Sequence, residues 1–319
     1  MFYKLIKIPA RLAIRLYCRD IAVNNKDIFL AKGPLLIASN HPNSFLDAII
    51  LATLFKRPVY SLTRGDTFKK KLHATLLRSL NMLPVYRMSE GVENLEQNYE
   101  TFDKCREIFK QNGIVLIFSE GRCINEWKLR PLKKGTARLA MSSWQEGINL
   151  SIIPTGINYQ SFTSFGKNIR INFGNTISGK AISNTNGYGS TINGLNEILK
   201  LELKNLVVEA ASADGEKIQK KFEIKVSAVK KILLLLPAIA GYLLHAPLYL
   251  PIQKVCWRKA RQADHYDSVL VGLLFISYPF YLLLMALLIY WLTAGYWWMF
   301  TFLLLPFFAW SFVQLKRQF

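Results

Sequence analysis

The sequence is poor in cysteine and histidine, with four residues of each. The cysteines, Cys18, Cys105, Cys123 and Cys256, form no Cys-x-x-Cys pair, and none lies near a histidine at the spacing of metal ligands. This scarcity argues against a disulfide framework and against a metal site, and it favours reduced thiols in the cytosol.

Acidic residues are also scarce. Asp and Glu number 21 against 41 Lys and Arg, which leaves a formal net charge of +20. Such a charge indicates an anionic partner: nucleic acid, lipid headgroups or a phosphorylated substrate. No nucleic-acid-binding module is recognisable, and the chain from residue 232 onward is dominated by Leu, Phe, Tyr and Trp. We therefore expect membrane lipid as a partner, and no nucleic acid.

The N-terminus lacks the uninterrupted apolar core of a secretory signal. Basic residues instead recur every three or four positions from Lys4 to Arg19, which places them on one helix face. Residues 1–22 are therefore predicted to form a basic amphipathic helix in a membrane interface, with a surface helix packed on the domain as the alternative.

Three apolar segments follow a basic linker, residues 216–231, and form the predicted membrane region 232–319. Residues 269–291 and 295–313 are long enough to cross a bilayer and are predicted to form a transmembrane hairpin. Residues 232–250 contain two prolines and a histidine. If this segment crossed, the basic clusters flanking it would face opposite sides, so the positive-inside rule favours a re-entrant or interfacial segment.

Residues 23–215 alternate apolar runs with helical patterns, which predicts an α/β domain: a mixed, mostly parallel sheet flanked by helices. Several runs are apolar throughout, as expected of strands buried on both faces. The predicted strands are 35–39, 58–62, 82–86, 114–118, 150–154 and 169–173. The predicted helices are 44–55, 67–79, 90–111, 135–146 and 191–212. Residues 183–190 are predicted to form a loop.

Polar clusters directly follow four of the predicted strands. They are Asn40-His41 with Asp47, Arg64-Gly65-Asp66, Ser119-Glu120-Gly121-Arg122, and Thr155-Gly156. Sites in open α/β sheets form beyond the carboxyl ends of the strands. If the four strands are parallel, the clusters meet at one edge of the sheet.

The first cluster contains a candidate catalytic pair. Asn43 or Ser44 is a natural N-cap for the next helix, so Asp47 lies near its first turn and leans back toward His41. A carboxylate bonded to one imidazole nitrogen leaves the other free to take a proton from a substrate hydroxyl. The alternative is a turn histidine before Pro42 and an aspartate that stabilises the helix dipole. This stretch alone leaves both open.

The other clusters offer cations. Arg64 and Arg122 follow strands, where a guanidinium can hold a phosphate through two hydrogen bonds. Glu120 would orient Arg122 or bind a substrate hydroxyl. Lys134, at the start of the helix near Thr136, is a candidate anion ligand. For each of these the alternative is an exposed ion pair or a basic turn.

The order of these motifs resembles the glycerolipid acyltransferase superfamily, which includes glycerol-3-phosphate and 1-acylglycerol-3-phosphate (lysophosphatidate) acyltransferases. An Asn-His pair with a downstream Asp precedes "TRGDTF", "IFSEGR", "LKKGTARLA" and "IIPTGINY", so the resemblance covers roughly residues 30–175.

The resemblance implies a membrane-bound enzyme, and the positive-inside rule predicts that its catalytic domain, the loop between the first and second apolar segments and the C-terminus lie on the cytoplasmic side. The enzyme would move a fatty acyl group from an acyl-CoA or acyl-carrier-protein thioester directly to a hydroxyl of a phosphorylated glycerol, without a cofactor. His41 would be the general base and Asp47 would orient it. The residues implied to bind substrate are Asn40, Arg64, Glu120, Gly121, Arg122, Lys134, Ile153 and Pro154.

The chain departs from the family pattern in two places. Five residues separate His41 from Asp47 where four are common, and Arg122 lies one position earlier in a motif that has lost its proline. The wider spacing resembles the branch acting on glycerol-3-phosphate and dihydroxyacetone phosphate, with lysophosphatidate as the alternative acceptor. One extra helical residue would rotate Asp47 by about 100°, so the turn at Pro42-Asn43 is predicted to absorb it, with the helix starting no earlier than Asn43.

Two other functions compete. A serine hydrolase built on Ser119 would need glycine two positions before the nucleophile, where the chain has Ile117. A membrane-anchored protein that binds anionic lipid would need only the charge, and the ordered motifs would then be without purpose.

Overall fold

The structure is a computed structural model that describes residues 2–86, 97–181, 187–211, 214–261 and 263–316. Within these ranges the strands are β1 (Asp20–Val23), β2 (Leu35–Ser39), β3 (Val59–Arg64), β4 (Met82–Val85), β5 (Ile114–Phe118), β6 (Ser151–Tyr159), β7 (Asn168–Phe173) and β8 (Ile177–Ser178). The helices are α1 (Phe2–Tyr17), α2 (Phe45–Leu54), α3 (Lys71–Ser79), α4 (Gln97–Lys110), α5 (Gly135–Gln145), α6 (Tyr188–Leu206), α7 (Gly215–Phe222), α8 (Ala228–Ala260), α9 (Tyr266–Thr293) and α10 (Thr301–Leu315).

The strands form one sheet in the order β1-β7-β6-β2-β5-β3-β4, and β8 pairs with β6. Only the β6–β7 and β6–β8 pairs are antiparallel among the described strands, and the remaining pairs are parallel. The predicted fold class is confirmed. Because β2, β3, β5 and β6 run in one direction, their carboxyl ends lie at the same edge of the sheet.

The sheet is covered on both faces, which is why the central strands β2 and β5 are almost entirely apolar. Leu35 and Ile37 of β2 belong to a core cluster that includes α1 and α2. Leu36 and Ala38 point the other way, into a cluster with α4, α5 and α6. Polar side chains of these strands therefore collect at the edge.

β6 is longer than predicted. Thr155 and Gly156 do not follow the strand but lie inside it, because β7 pairs with β6 from Thr155 to Tyr159, whereas β2 pairs with β6 only as far as Thr155. β1 and β8 are too short for the sequence pattern to reveal. β1 begins at Asp20, so the last residues of the predicted helix 1–22 belong to the sheet.

Two predicted elements fall partly outside the described residues. Of the helix predicted over 90–111, the structure describes α4, and residues 87–96 lie outside the described ranges. Of the loop predicted over 183–190, the structure describes 187–190, where α6 already begins at Tyr188. The helix predicted over 67–79 is a short 3-10 helix, Gly65–Phe68, followed by α3.

The exposed side of α1 is largely apolar, with Lys4 and Arg15 as its exposed basic residues. Lys7 donates to the carbonyl oxygen of Phe55, and Nε of Arg11 donates to that of Thr53 at 2.9 Å. These carbonyls end α2, where the last turn of a helix lacks internal partners and attracts cations. The basic stripe is thus partly turned inward. The large apolar side chains exposed on α1 are Phe2, Leu5, Ile8 and Leu12.

The apolar C-terminal helices share the core of the α/β domain. Cys256 and Ala260 of α8 and Tyr266 and Leu270 of α9 are buried in the same cluster as α1 and α2. The predicted linker, residues 216–231, contains most of α7. Phe222, the last residue of α7, is buried against the sheet. The carbonyl of Phe222 accepts a hydrogen bond from Nδ2 of Asn168 at 2.7 Å.

Three of the described helical segments are long and apolar enough to cross a membrane: α8, α9 and Tyr296–Leu315, which joins a 3-10 turn to α10. α8 is continuous through its prolines. It begins four residues after Ile224, whose carbonyl accepts from Arg19, and it ends in the core. Both ends of α8 are therefore close to the domain. The re-entrant or interfacial placement of 232–250 stays a prediction.

Gly156 offers a test of how tightly α6 packs on the sheet. A Cβ at Gly156 would lie 2.5 Å from the backbone oxygen of Leu206, whereas a Cβ at Gly194, on the exposed side of α6, would meet nothing within 4 Å. We expect Gly156→Ala to lower the free energy of unfolding by about 1–3 kcal/mol through overpacking. Gly194→Ala, the control, should raise it by up to about 1 kcal/mol. Thermal unfolding in detergent compares the two, and equal midpoints would contradict the close packing.

Candidate active site

His41 and Asp47 form a hydrogen-bonded pair at the carboxyl end of β2. Nδ1 of His41 lies 2.9 Å from Oδ2 of Asp47. α2 begins at Phe45, after Asn43, as predicted. Ser44, the N-cap, has a φ of 52°, which is unusual for a residue other than glycine. The turn before the helix therefore absorbs the extra residue, and the carboxylate faces the imidazole.

Asp47 is fully buried, and two further donors reach it. The backbone N–H of Asn43 donates to Oδ2 at 2.8 Å, and the hydroxyl of Tyr159 donates to Oδ1 at 2.7 Å. Burial, followed by the nearby Asp47 charge, raises the pKa of Tyr159 well above its usual value, so the phenol remains a donor. With Asp47 ionised, Nδ1 of His41 carries the hydrogen and Nε2 is free to accept a proton.

The position of His41 is set from its other side by the segment after β5. The imidazole stacks on Phe118, with ring centroids 3.8 Å apart and planes 12° from parallel. The backbone N–H of His41 donates to Oε2 of Glu120 at 2.8 Å. The side chain retains 16% exposure. The ring is therefore fixed in orientation and still accessible to a substrate.

Glu120 joins two loops rather than orienting Arg122. Its second oxygen, Oε1, accepts the backbone N–H of Arg130 at 2.9 Å. Burial raises the pKa of Glu120, while the hydrogen bonds from Arg130 and His41 oppose that shift. The predicted contact of Glu120 with a substrate hydroxyl stays a prediction, and its observed bonds make it a support for the His41 backbone.

The candidate cations at this edge of the sheet differ in whether their side chains already have partners. Arg122 and Lys134 are exposed, and within the described ranges neither side chain has a hydrogen bond or ion pair. Arg64 pairs with Asp66, Nε to Oδ1 at 3.1 Å, so the surface ion pair considered above is present. Gly121 has a φ of 66°, and a Cβ there would lie 3.0 Å from the side chain of Lys133. Gly121 therefore lets the basic segment approach the loop.

Ser119 links that loop to α5 and is not paired with His41. Its hydroxyl lies 2.9 Å from that of Thr136, and its carbonyl accepts the N–H of Lys133 at 2.7 Å. These bonds bring Lys134 and the start of α5 against the loop after β5. They also argue against Ser119 as a nucleophile activated by His41, because its hydroxyl is buried and bonded to Thr136 instead of to the imidazole.

Ile153 and Pro154 lie within β6, and Asn40 directly follows β2 and bonds to β6. Oδ1 of Asn40 accepts the N–H of Ile157 at 2.7 Å, and its Nδ2 donates to the carbonyl of Ile157 at 3.0 Å. The carboxamide thus continues the ladder between β2 and β6 by one step. Ile153 and Pro154 pair in register with Ile37 and Ala38. The substrate contacts implied for all three stay predictions, and the structure gives Asn40 a structural role.

Residues 20–158 match the Acyltransferase family model. The matched region contains every candidate catalytic and substrate-binding residue named above. A comparison of the sequence with curated proteins gives no match. Among solved structures, the chain is similar to the 1-acyl-sn-glycerophosphate (LPA) acyltransferase PlsC from Thermotoga maritima. The identity is 13% over 63% of this chain and 80% of that chain, with a TM-score of 0.41.

Sequence reasoning missed several residues around the His41–Asp47 pair. Tyr159 is the last residue of "IIPTGINY", and only the length of β6 shows that it reaches Asp47. Arg130 contacts Glu120 through its backbone, which leaves no trace in its side-chain identity. Asp267 alone carried a signal, since it is an acidic residue at the start of a long apolar run.

Glu120→Gln tests the support that the Glu120 carboxylate gives to the His41 backbone. The glutamine amide would present an NH₂ group to one of the two backbone N–H groups that now donate to the carboxylate. We expect a loss of about 1–3 kcal/mol in the free energy of unfolding, accompanied by lower turnover. The matched control is Glu126→Gln, because Glu126 forms a partly exposed pair with Arg130 and should cost less than about 1 kcal/mol. Equal effects of the two substitutions on unfolding and turnover would contradict the role of Glu120.

Proposed function

We propose that this chain is a membrane-bound O-acyltransferase. It transfers a fatty acyl group from an acyl-CoA or acyl-carrier-protein thioester to a hydroxyl of glycerol-3-phosphate or dihydroxyacetone phosphate, with lysophosphatidate as the alternative acceptor. The observation that carries the proposal is the His41–Asp47 pair, with Nδ1 and Oδ2 2.9 Å apart at the sheet edge. The match of residues 20–158 to the Acyltransferase family supports the reaction class.

The pair suits direct transfer. Nε2 of His41 takes the proton of the acceptor hydroxyl while the hydroxyl oxygen attacks the thioester carbonyl. Asp47 stabilises the imidazolium that forms. The carbon–sulfur bond then breaks, and the proton passes from His41 to the leaving thiolate. The thiol and the oxygen ester are the products, so no covalent acyl-enzyme and no cofactor are needed.

The acceptor phosphate would be held by the free cations of the site. Arg122 and Lys134 are exposed and have no partner among the described residues, and Arg64 would have to exchange Asp66 for the phosphate. A guanidinium binds a phosphate through two parallel hydrogen bonds. The five residues between His41 and Asp47 favour a small phosphorylated acceptor, by resemblance to the branch with that spacing.

Acyl transfer of this kind yields an amphiphile, and the apolar surfaces of the chain would place the site beside a bilayer. α9 and the segment Tyr296–Leu315 are long and apolar enough to form a membrane hairpin. The exposed apolar stripe of α1 lies on a helix that contacts both α9 and α10. We infer that α1 rests in the interface on the cytoplasmic side, with its apolar stripe toward the lipid.

The reaction is tested by offering purified protein glycerol-3-phosphate, dihydroxyacetone phosphate and lysophosphatidate separately, each with acyl-CoA and with acyl-carrier-protein thioester. We expect ester formation with one of the glycerol phosphates, and a loss of about 10²–10⁴-fold in kcat for His41→Ala, the usual contribution of a general base. Thin-layer separation of labelled products measures both quantities.

His73→Ala is the matched control, since His73 is exposed on α3 and should be dispensable. Preference for lysophosphatidate would select the alternative acceptor. Lipid binding without ester formation from any pair of substrates would show that the chain is a lipid-binding protein instead, provided that His41→Ala binds lipid as well as the wild-type protein does.

The proposed topology has its own test. α8 starts and ends close to the domain, which supports an arrangement that keeps the catalytic domain, the segment between α8 and α9, and the C-terminus on the cytoplasmic side. Reporters fused after residue 226, after residue 262 and at residue 319 should all show cytoplasmic location. A reporter after residue 262 on the opposite side would mean that α8 crosses the bilayer, and the placement proposed here would be wrong.

A further inference from the structure

The first turn of α9 carries a buried carboxylate that contacts the His41–Asp47 loop. Asp267 has no exposed surface, and its Oδ2 accepts a hydrogen bond from Nδ2 of Asn43 at 2.7 Å. The same carboxylate forms an ion pair with the fully buried Lys167 and accepts the hydroxyl of Tyr17. We call Asn43, Lys167, Tyr17 and Asp267 the anchor cluster.

Asn43, a member of the anchor cluster, is hydrogen-bonded directly to Asp47 of the candidate catalytic pair. Asn43 donates to Asp267 through its side chain and to Oδ2 of Asp47 through its backbone N–H. The position of the Asp47 carboxylate therefore depends on Asn43, and the position of Asn43 depends on a residue 224 positions away along the chain.

Two neighbouring residues add to the attachment. Oγ of Ser268 accepts the N–H of Leu46 at 3.1 Å and donates to the carbonyl of Asn43 at 3.3 Å. Just before α9, Oδ1 of Asp264 accepts the N–H of Asn125, whose side chain in turn donates to the carbonyl of Pro42 at 2.7 Å. The start of α9 thus contacts the loop after β2 directly, and through Asn125.

The two buried charges of the anchor cluster, on Lys167 and Asp267, each require the other as a partner. A buried carboxylate and a buried ammonium each lose their hydration, and neither is tolerated without its partner. An acidic residue at the end of an apolar helix faces protein and is paired where it has a function. A simple membrane anchor needs no such group, and the helix dipole alone would be satisfied by an exposed aspartate.

We propose that Asp267 is a positioning residue for the reaction: through Asn43 it holds the Asp47 carboxylate against His41, so that α9 completes the active site instead of serving only as an anchor. This inference rests on the function proposed above. It assigns a catalytic consequence to a helix outside the region that matches the Acyltransferase family.

The test compares two double variants of the full-length protein in detergent. Lys167→Met with Asp267→Asn removes both charges and keeps a side-chain oxygen that Asn43 can bond. Lys167→Met with Asp267→Leu removes the same charges and that oxygen. We expect the leucine variant to have a kcat about tenfold or more below that of the asparagine variant, the scale of loss for a misplaced catalytic group. KM for both substrates should be similar in the two proteins.

A second readout does not depend on acyl transfer. Diethyl pyrocarbonate modifies unprotonated imidazole nitrogens, and mass spectrometry of the His41 peptide measures its rate. The rate should rise in the leucine variant because Nδ1 is no longer held by Asp47. Equal rates and equal kcat in the two double variants would overturn the proposal. If the wild-type protein transfers no acyl group, the proposed function fails, while the modification rates still test the attachment.

The control is Gln314→Leu. Gln314 is a buried residue of α10 that also bonds the domain, donating through Nε2 to the carbonyl of Arg19 at 3.0 Å and accepting from Lys230, and neither bond involves the His41 loop. The Gln314→Leu substitution should lower the unfolding midpoint without changing kcat or the rate of His41 modification. If the leucine double variant does not fold, Ser268→Ala and Ser268→Thr replace the pair: only alanine removes the hydroxyl, so only alanine should lower kcat and expose His41.

Discussion

A carboxylate without access to water must be surrounded by hydrogen-bond donors, because no solvent replaces a missing one. Asp47 is in this position, and His41, Asn43 and Tyr159 provide the donors. They come from the turn before α2 and from the far end of β6. The orientation of the imidazole is therefore a property of the assembled sheet edge and not of the helix that carries Asp47.

The strand order explains how these groups meet. β2 lies between β5 and β6, and all three are parallel. The turn after β2 is therefore flanked on one side by Phe118 and Glu120, which hold the ring and the backbone of His41. On the other side it is flanked by Tyr159, which holds Asp47. A strand at the edge of the sheet would have had only one such neighbour.

The apolar helices α8 and α9 also pack against the domain and support the turn after β2. The end of α8 and the start of α9 fill the core face that α1 and α2 leave open. Asp267, the charged residue of α9, and Ser268 lie in its first turn and bond to the turn after β2. The sheet edge is consequently held from the domain side and from the side of the helices long enough to cross a membrane.

The sequence by itself determined the features that depend on local pattern. Apolar runs marked the central strands, polar clusters marked the sheet edge, and the spacing from His41 to Asp47 required a turn that the structure contains at Ser44. Tertiary structure alone decided the partners. Tyr159 and Asp47 are 112 positions apart, His41 and Glu120 are 79 apart, and Asn43 and Asp267 are 224 apart. Such contacts leave no periodic signal, because they depend on which strands become neighbours and on how far β6 extends along β7.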